Sequence, residues 1–388
     1  MRFDIVVVGA GPAGLEAATT VAAHGFKVAL LDAAPRPGGQ FWRHRDGDTG
    51  DGHRDWETFV KLREQLSEVD YRPNTKVWFV EPGHTVHTDN GVFEADRLVI
   101  ATGAYDRTVP FPGWDLPGVF TAGGAQALLK GQGVVVGRRV VVAGTGPFLL
   151  PVATGLAHAG VDVAGVFEAA SPLGYLRGLP PLGKVAEAGG YLAKFARHRI
   201  RYLTGQAVVA AHGEDRLTAV TVIRKGKARR VECDALAIGY GFTPQVELAI
   251  AAGCATSLDA DGSLVVSVDR GQTTSVSGVF AAGEVTGIGG AELALIEGRL
   301  AGLAAVGVPA PPKLLRRREA LRRFAAVLAR VHPVPAQWAT WCAEDTILCR
   351  CERVPVSALH RAVQELGVVD GRGAKLMTRV GMGWCQGR

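Results

Sequence analysis

Phe3-Asp4-Ile5-Val6-Val7-Val8-Gly9-Ala10-Gly11-Pro12-Ala13-Gly14 opens the chain and decides its fold. The β-branched run from Phe3 to Val8 reads as a buried strand, and Leu15 to His24 has the composition of a helix. Between them each glycine has its own task. Gly9 makes the tight turn, Gly11 lets the backbone approach a pyrophosphate, and Gly14 lets helix and strand pack closely. The helix N-terminus then faces the phosphates. A second strand, Lys27 to Leu31, ends in Asp32, 18 residues past Gly14, where a carboxylate can accept from ribose hydroxyls. A glycine turn alone is a weak signal. With strand, helix and terminal acid in register it predicts a dinucleotide site in an α/β domain.

The pattern recurs. Arg139 to Ala143 reads as a strand, followed by Gly144-Thr145-Gly146-Pro147-Phe148-Leu149, and the next strand, Asp162 to Phe167, ends in Glu168. Leu149 stands where the third glycine should be, so close helix–strand packing is relaxed. Glu168 suits a free 2′-hydroxyl. If a nucleotide binds at Gly144, Gly146 and Glu168, NAD(H) or an adenine nucleotide is favoured over NADP(H). A domain that keeps this fold without binding a hydride donor is equally compatible with the missing glycine.

At 388 residues the chain can bury large cores and hold two or three domains. The 43 basic against 37 acidic residues leave a net charge of +6, too modest over this length to point to nucleic acid. The uncharged run Val140 to Val161 is long enough to raise the question of a membrane span, but its Gly144-Thr145-Gly146-Pro147 core argues for a strand turning into a helix. No transmembrane segment is therefore expected. Asp4 interrupts the apolar start, so no secretory signal is expected. Six cysteines, the closest pair one residue apart, do not form a disulfide framework, so a cytoplasmic location is expected. Cys233 and Cys254 read as packed thiols.

Three more motifs refine the nucleotide. Pro37-Gly38-Gly39-Gln40 follows the second strand, Ala101-Thr102-Gly103 closes a strand from Arg97 to Ile100, and Gly278-Val279-Phe280-Ala281-Ala282-Gly283-Glu284 comes late. Together with the two glycine turns they resemble the two-dinucleotide-binding-domain flavoproteins of the thioredoxin reductase and disulfide reductase type. The resemblance implies FAD at Gly9, Gly11, Pro12, Ala13, Gly14, Asp32, Gly39, Gln40, Ala101, Thr102, Gly103, Gly283 and Glu284, the last in the place of an acid, usually Asp, that meets the ribityl chain. Thioredoxin reductase itself is excluded. There is no Cys-x-x-Cys, and no cysteine pair follows the first glycine turn.

The C-terminal region carries a different chemistry. Cys349-Arg350-Cys351 is answered by Gly381-Met382-Gly383-Trp384-Cys385-Gln386-Gly387-Arg388. Soft thiolates converging from two loops are what an iron–sulfur cluster requires, and Cys349, Cys351 and Cys385 supply three of four ligands. Ahead of them Lys313 to Val331 reads as a basic helix. Leu321, Phe324, Leu328 and Val331 share one face, and Arg316, Arg317, Arg318, Arg322 and Arg323 form a side expected to be solvated or to dock an acidic partner.

From Thr346 onward the chain resembles bacterioferritin-associated ferredoxin, a 2Fe-2S module. As a whole it resembles the FAD-containing subunit of hydrogen cyanide synthase, opine oxidase and hydroxyproline or proline dehydrogenase complexes, on Cys349-Arg350-Cys351-Glu352, Thr378-Arg379-Val380-Gly381-Met382-Gly383, Cys385-Gln386-Gly387-Arg388 and Gly241-Phe242-Thr243-Pro244. That family carries a fourth cysteine just past the equivalent of Arg388. The sequence is then a fragment, or the cluster is lost, or Cys342 substitutes; the match up to Arg388 favours a fragment. The expected fold is α/β, with two Rossmann-like dinucleotide-binding domains and a small helical cysteine module. Residues 1–112 and 245–310 would form the FAD domain, 113–244 the second nucleotide domain, 311–345 a basic helical linker and 346–388 the cluster module.

The resemblance implies a partner subunit with its own flavin that oxidises an amino or imino acid of opine, hydroxyproline, proline or glycine type. The resemblance also leaves room for a small ferredoxin-like third subunit and for peripheral membrane attachment through a partner. This chain would relay the electrons, and no general acid or base is assigned to it. Two other readings stay open. One is a self-sufficient NADH-dependent reductase, and the other is a non-catalytic nucleotide-binding assembly subunit.

Overall fold

The structure, a computed structural model, describes residues 1–171, 182–383 and 385, with side chains from residue 189 onward in the second stretch. Trp384, Gln386, Gly387 and Arg388 of the terminal motif lie outside the described residues. The chain forms two compact units, residues 1–105 with 243–329 and residues 106–242 with 330–388.

The first unit is built on a seven-stranded sheet. Asp70–Arg72, Val28–Leu31, Arg2–Val8 and Gly91–Ile100 run parallel in that spatial order, and Val279–Ala281 joins parallel to Gly91–Ile100. Thr85–Thr88 and Val77–Glu81 continue the sheet antiparallel. Alternation sends Ile5, Val7, Val28, Leu30 and Val99 to one core, and Val6, Val8, Ala29, Leu31, Leu98 and Ile100 to the other. Both faces are covered, as a parallel sheet requires.

Register decides where the motifs meet. Val8 pairs with both Leu31 and Ile100, and Ile100 with Ala281. The residues that follow, Gly9, Asp32, Ala101 and Ala282, therefore emerge together at the carboxyl edge, where α/β sheets bind ligands. The helices Pro12–Ala22 and Ala291–Ala305 stack beside this edge. Their approach depends on Gly298, because a Cβ there would lie 2.1 Å from Ala13 O.

The second unit repeats the scheme with a five-stranded parallel sheet in the order Tyr202–Thr204, Asp162–Glu168, Arg139–Gly144, Ala235–Gly239 and Val119–Thr121. Glu168 and Gly239 both pair with Gly144, so this edge too gathers its turn and its acid. The long uncharged run is the strand Arg139–Gly144 followed by the helix Leu149–His158, and no described helix is long and apolar enough to cross a membrane.

The basic segment forms a helix, Pro312–Val331. Residues up to 329 belong with the first unit, while the cysteine segment belongs with the second. There a short hairpin, Ile347–Cys349 and Val354–Pro355, precedes the helices Val356–Glu365 and Gly371–Thr378. Trp114 anchors the hairpin: its indole Nε1 donates to Ile347 O at 2.5 Å, and the Arg350 guanidinium lies 5.1 Å over its ring.

The expectation of a solvated arginine side holds only in part. Arg316 and Arg323 are exposed, and Arg317 pairs with Glu292 at the surface at 2.9 Å. Arg318 and Arg322 turn inward onto Glu297, which is fully buried. A buried carboxylate demands paired charge, and this requirement overrides the arginines' preference for water.

Candidate functional site

At the first edge the strand–turn–helix geometry is tight. Gly9 has φ +102°, and a Cβ on it would meet Ala101 O at 2.3 Å. A Cβ on Gly14 would lie 1.7 Å from Gly9 O, so any side chain there pushes the helix out of the turn. The helix begins at Pro12 with Gly11 as its N-cap, earlier than composition suggested, because proline is well suited to the first helical position. Gly11 faces open space save for the Cα of Gly39 at 3.9 Å from its Cβ direction. Gln40 is exposed beside it and accepts from Arg43 Nε at 3.2 Å.

Asp32 stands behind this turn. Its oxygens accept from the N–H groups of Ala10 at 2.5 Å and Ala34 at 2.6 Å. Burial raises its pKa above the usual carboxylate value, and the two N–H groups and Arg43 oppose that rise. Tyr71, on the neighbouring strand, has a buried hydroxyl with no hydrogen-bond partner among the described residues, held in its protonated form by burial and by the charge of Asp32. An unpaired hydroxyl beside a ribose-type acid fits an edge shaped for a polar nucleoside. Tyr71 was not legible from the motifs.

The other two segments close on the same edge. Thr102 Oγ1 donates to Gln245 O at 2.7 Å, and Gln245 N–H to Gly103 O at 2.9 Å. Gly283 packs against Ala13, with 2.9 Å from its Cβ direction to the Ala13 Cβ. The Glu284 carboxylate accepts from Gly289 N–H at 2.9 Å and Gly290 N–H at 2.8 Å, closing the turn that leads into the helix Ala291–Ala305. Burial raises its pKa, while the two N–H groups and Arg322 hold it down. The extra methylene relative to Asp gives it this reach. Each carboxylate oxygen retains a lone pair for a ligand hydroxyl.

The second edge is different. Gly144 makes its turn at φ +129°, but the helix starts only at Leu149, whose side chain is buried in the core. Gly146 N–H, which could face a phosphate, instead donates to Glu168 Oε2 at 2.9 Å, and Ala170 N–H donates to Oε1 at 3.0 Å. Tyr202 OH reaches Oε2 at 3.4 Å and His332 Nδ1 lies 3.5 Å from it. Glu168 is only 1% exposed, so its carboxylate faces protein rather than an open ribose pocket. Thr145 Oγ1 and Tyr240 OH are buried there and have no hydrogen-bond partner among the described residues. His332 follows the basic helix directly, ahead of Pro333, and no motif marks it.

The three thiols come together. Cys349 and Cys351 Sγ are 3.6 Å apart, Cys351 and Cys385 Sγ 3.3 Å, and Gly381 N–H donates to Cys349 Sγ at 3.3 Å. Hydrogen bonds from the backbone and thiol of Cys385 hold the exposed Cys351 thiol below its ordinary value. Such a trio fits three corners of a four-thiolate site. Cys342 does not join it among the described residues; its Sγ points to Pro110 O at 3.4 Å. Cys233 and Cys254 are buried in separate cores, and burial with Asp234 nearby pushes the Cys233 thiol up to about 12.

The pattern of the pyridine nucleotide-disulphide oxidoreductases matches residues 3–301. The chain belongs to that family. Hydrogen cyanide synthase subunit HcnB of Pseudomonas protegens is 36% identical over all of this chain and 90% of its own length. An opine oxidase subunit from Agrobacterium tumefaciens is 34% identical over all of this chain and 83% of its own length. Among solved structures, L-proline dehydrogenase from P. horikoshii superposes with a TM-score of 0.72 at 22% identity, over all of this chain and 71% of that one. Thioredoxin reductase from T. acidophilum gives 0.62 at 25% over 79% and 98%. The family resemblance read from the motifs thus holds, and with it the two-domain α/β fold and the assignment as an FAD-dependent oxidoreductase of the pyridine nucleotide-disulphide oxidoreductase family.

Proposed function

We propose that the chain is the electron-transferring FAD subunit of a heteromeric dehydrogenase or oxidase acting on an amino or imino acid. The observation that carries this reading is the three-thiol constellation of Cys349, Cys351 and Cys385 in a chain whose first nucleotide edge is complete and which has no Cys-x-x-Cys. FAD is assigned to the edge formed by Gly9, Gly11, Asp32, Thr102, Gly283 and Glu284. The flavin supplies the chemistry, accepting electrons in pairs and releasing them singly.

The chain's own residues bind and orient. The N-terminus of the helix Pro12–Ala22 would face the pyrophosphate, Asp32, with Tyr71 beside it, would hold the adenosine ribose, and Glu284 would hold the ribityl chain. Cys349, Cys351 and Cys385 would hold a 2Fe-2S cluster together with one further thiolate. Amine oxidation falls to a partner subunit with its own flavin, in line with the named subunits among the relatives, and a small ferredoxin-like subunit is a fitting third member. The cysteine spacing, which makes no disulfide framework, suits a cytoplasmic setting, with membrane attachment only through a partner.

The NADH-dependent reading is weakened by Glu168, whose oxygens serve Gly146, Ala170 and Tyr202 and are covered by His332. NAD(H) or an adenine nucleotide entering this edge has to displace that imidazole. Anaerobic mixing of the purified flavoprotein with NADH and, separately, with dithionite tests the reading. Bleaching by dithionite alone supports the relay; bleaching by NADH within seconds overturns it.

A further inference from the structure

We propose that Arg322 is a positioning residue for the flavin, carried to the site by the basic helix Pro312–Val331. The inference rests on the assignment of FAD to the first edge. It begins with Glu297, fully buried on the helix Ala291–Ala305. Such a carboxylate persists only if paired and hydrogen-bonded. Arg322 binds it in bidentate fashion, Nε to Oε1 at 2.8 Å and Nη2 to Oε2 at 2.7 Å, and Arg318 Nε adds a bond to Oε1 at 3.1 Å. The spacing of four residues puts both arginines on one helix face.

The network reaches beyond an ion cluster into the turn that carries Glu284. Arg322 Nη2 donates to Thr286 Oγ1 at 2.5 Å and Nη1 to Gly287 O at 2.8 Å. Glu297 Oε2 accepts from Gly283 N–H at 3.2 Å and from Thr286 Oγ1 at 3.0 Å. A glycine stands where the guanidinium enters: a Cβ on Gly287 would meet Arg322 Nη1 at 2.6 Å and Asp259 Oδ2 at 3.0 Å. Arg318 secures the strand before the turn. With the Gln272 amide donating to Ala281 O at 2.8 Å, its oxygen accepts from Arg318 Nη2 at 3.2 Å and shares the Nε N–H, 2.9 Å away, with Glu297.

Gly283, Thr286 and Gly287 are thus all tied to Arg322 or to its partner Glu297, and Glu284 sits inside the loop they define. Glu297 pairs with both guanidinium groups, and Glu284 and Asp259 stand near that of Arg322. Removing Arg322 frees the turn and leaves excess negative charge beside the place assigned to an anionic cofactor, whose reduced form carries still more charge. A lysine cannot restore the contacts, because a point charge has no planar fork to span Glu297, Thr286 and Gly287 together.

The test is reconstitution of deflavinated full-length protein with FAD, followed by flavin fluorescence, with potentiometric titration of the loaded protein. Arg322→Gln is expected to raise the FAD Kd about tenfold or more and to move the flavin midpoint potential to more negative values. Arg322→Lys should recover part of the affinity, and Arg317→Gln, at an exposed pair on the same helix, should change neither quantity. A lower melting temperature with wild-type FAD affinity and potential would show a purely structural ion cluster and overturn the proposal. If Arg322→Gln does not fold, Arg322→Lys decides by the same two readouts. Failure of the wild-type chain to bind FAD would instead overturn the assignment of the first edge.

Discussion

His332 Nδ1 lies 3.5 Å from Glu168 Oε2, so the acid of the second nucleotide edge is covered by a side chain from a distant part of the sequence. The same imidazole lies along the Gly146 turn, its Cβ 4.0 Å from the Cβ direction of that glycine. Any ribose-pyrophosphate group there competes with His332. His332→Ala is expected to tighten binding of ADP-ribose about tenfold or more, measured by titration calorimetry, and adding Glu168→Ala should abolish the gain. Equal binding by wild type and His332→Ala would show that the imidazole does not guard the edge.

The first edge should not tolerate bulk. Gly11→Leu places a side chain where the pyrophosphate must approach, and the purified variant should be colourless while retaining its far-UV circular dichroism. A yellow, stoichiometrically loaded variant would contradict the placement of FAD.

Helix packing supports the same edge from behind. Gly298→Val would drive a side chain into Ala13 O, forcing the helix Ala291–Ala305 away from the glycine turn. Overpacking of this kind costs about 1–3 kcal/mol, so a lower melting temperature and weaker FAD retention should appear together. FAD retention unchanged in a destabilised variant would separate the packing from the site.

The carboxyl of Glu284 gives a pH signature in the FAD-free protein. Burial raises its folded-state pKa above 4.5, so the folded chain holds this proton more tightly than the unfolded chain. The stability this contributes is fully present below 4.5 and is lost as pH rises through the folded value. Glu284→Gln cannot titrate. Between pH 4 and 7 its melting temperature should therefore rise relative to wild type, and a constant difference across that range would contradict the shift.

The extent to which the site was legible follows from how local each signal is. Gly9, Gly14 and Asp32 are constrained by the turn they sit in, and strand register then brings Thr102 and Glu284 to the same edge, so motif spacing sufficed. Leu149 marked the second turn as departing from the three-glycine pattern, and the helix there starts only at that residue. Tyr71, Glu297 and His332 act through contacts that only the folded chain makes. The arginine helix misled for the same reason: its composition resembles a solvated face, and nothing local announces that buried Glu297 draws Arg318 and Arg322 inward. The cysteine spacing foretold the cluster of thiols, but not that Trp114 would anchor the hairpin bearing two of them.

Cys351→Ser should leave the flavin content unchanged and remove the iron measured by colorimetric assay. The cysteine module and the first edge belong to separate compact units, so their losses should be independent. Equal loss of flavin and iron would mean that the module is needed for the chain to fold.

The most direct test of the relay is an anaerobic visible and electron paramagnetic resonance spectrum of the purified protein before and after dithionite, with the coding sequence extended past Arg388 wherever the gene continues. The account expects an oxidised flavin spectrum that bleaches, together with a reduced-cluster resonance that disappears in Cys351→Ser. A flavin spectrum with no cluster resonance in the extended chain would contradict it and bring the NADH-dependent reductase to the fore.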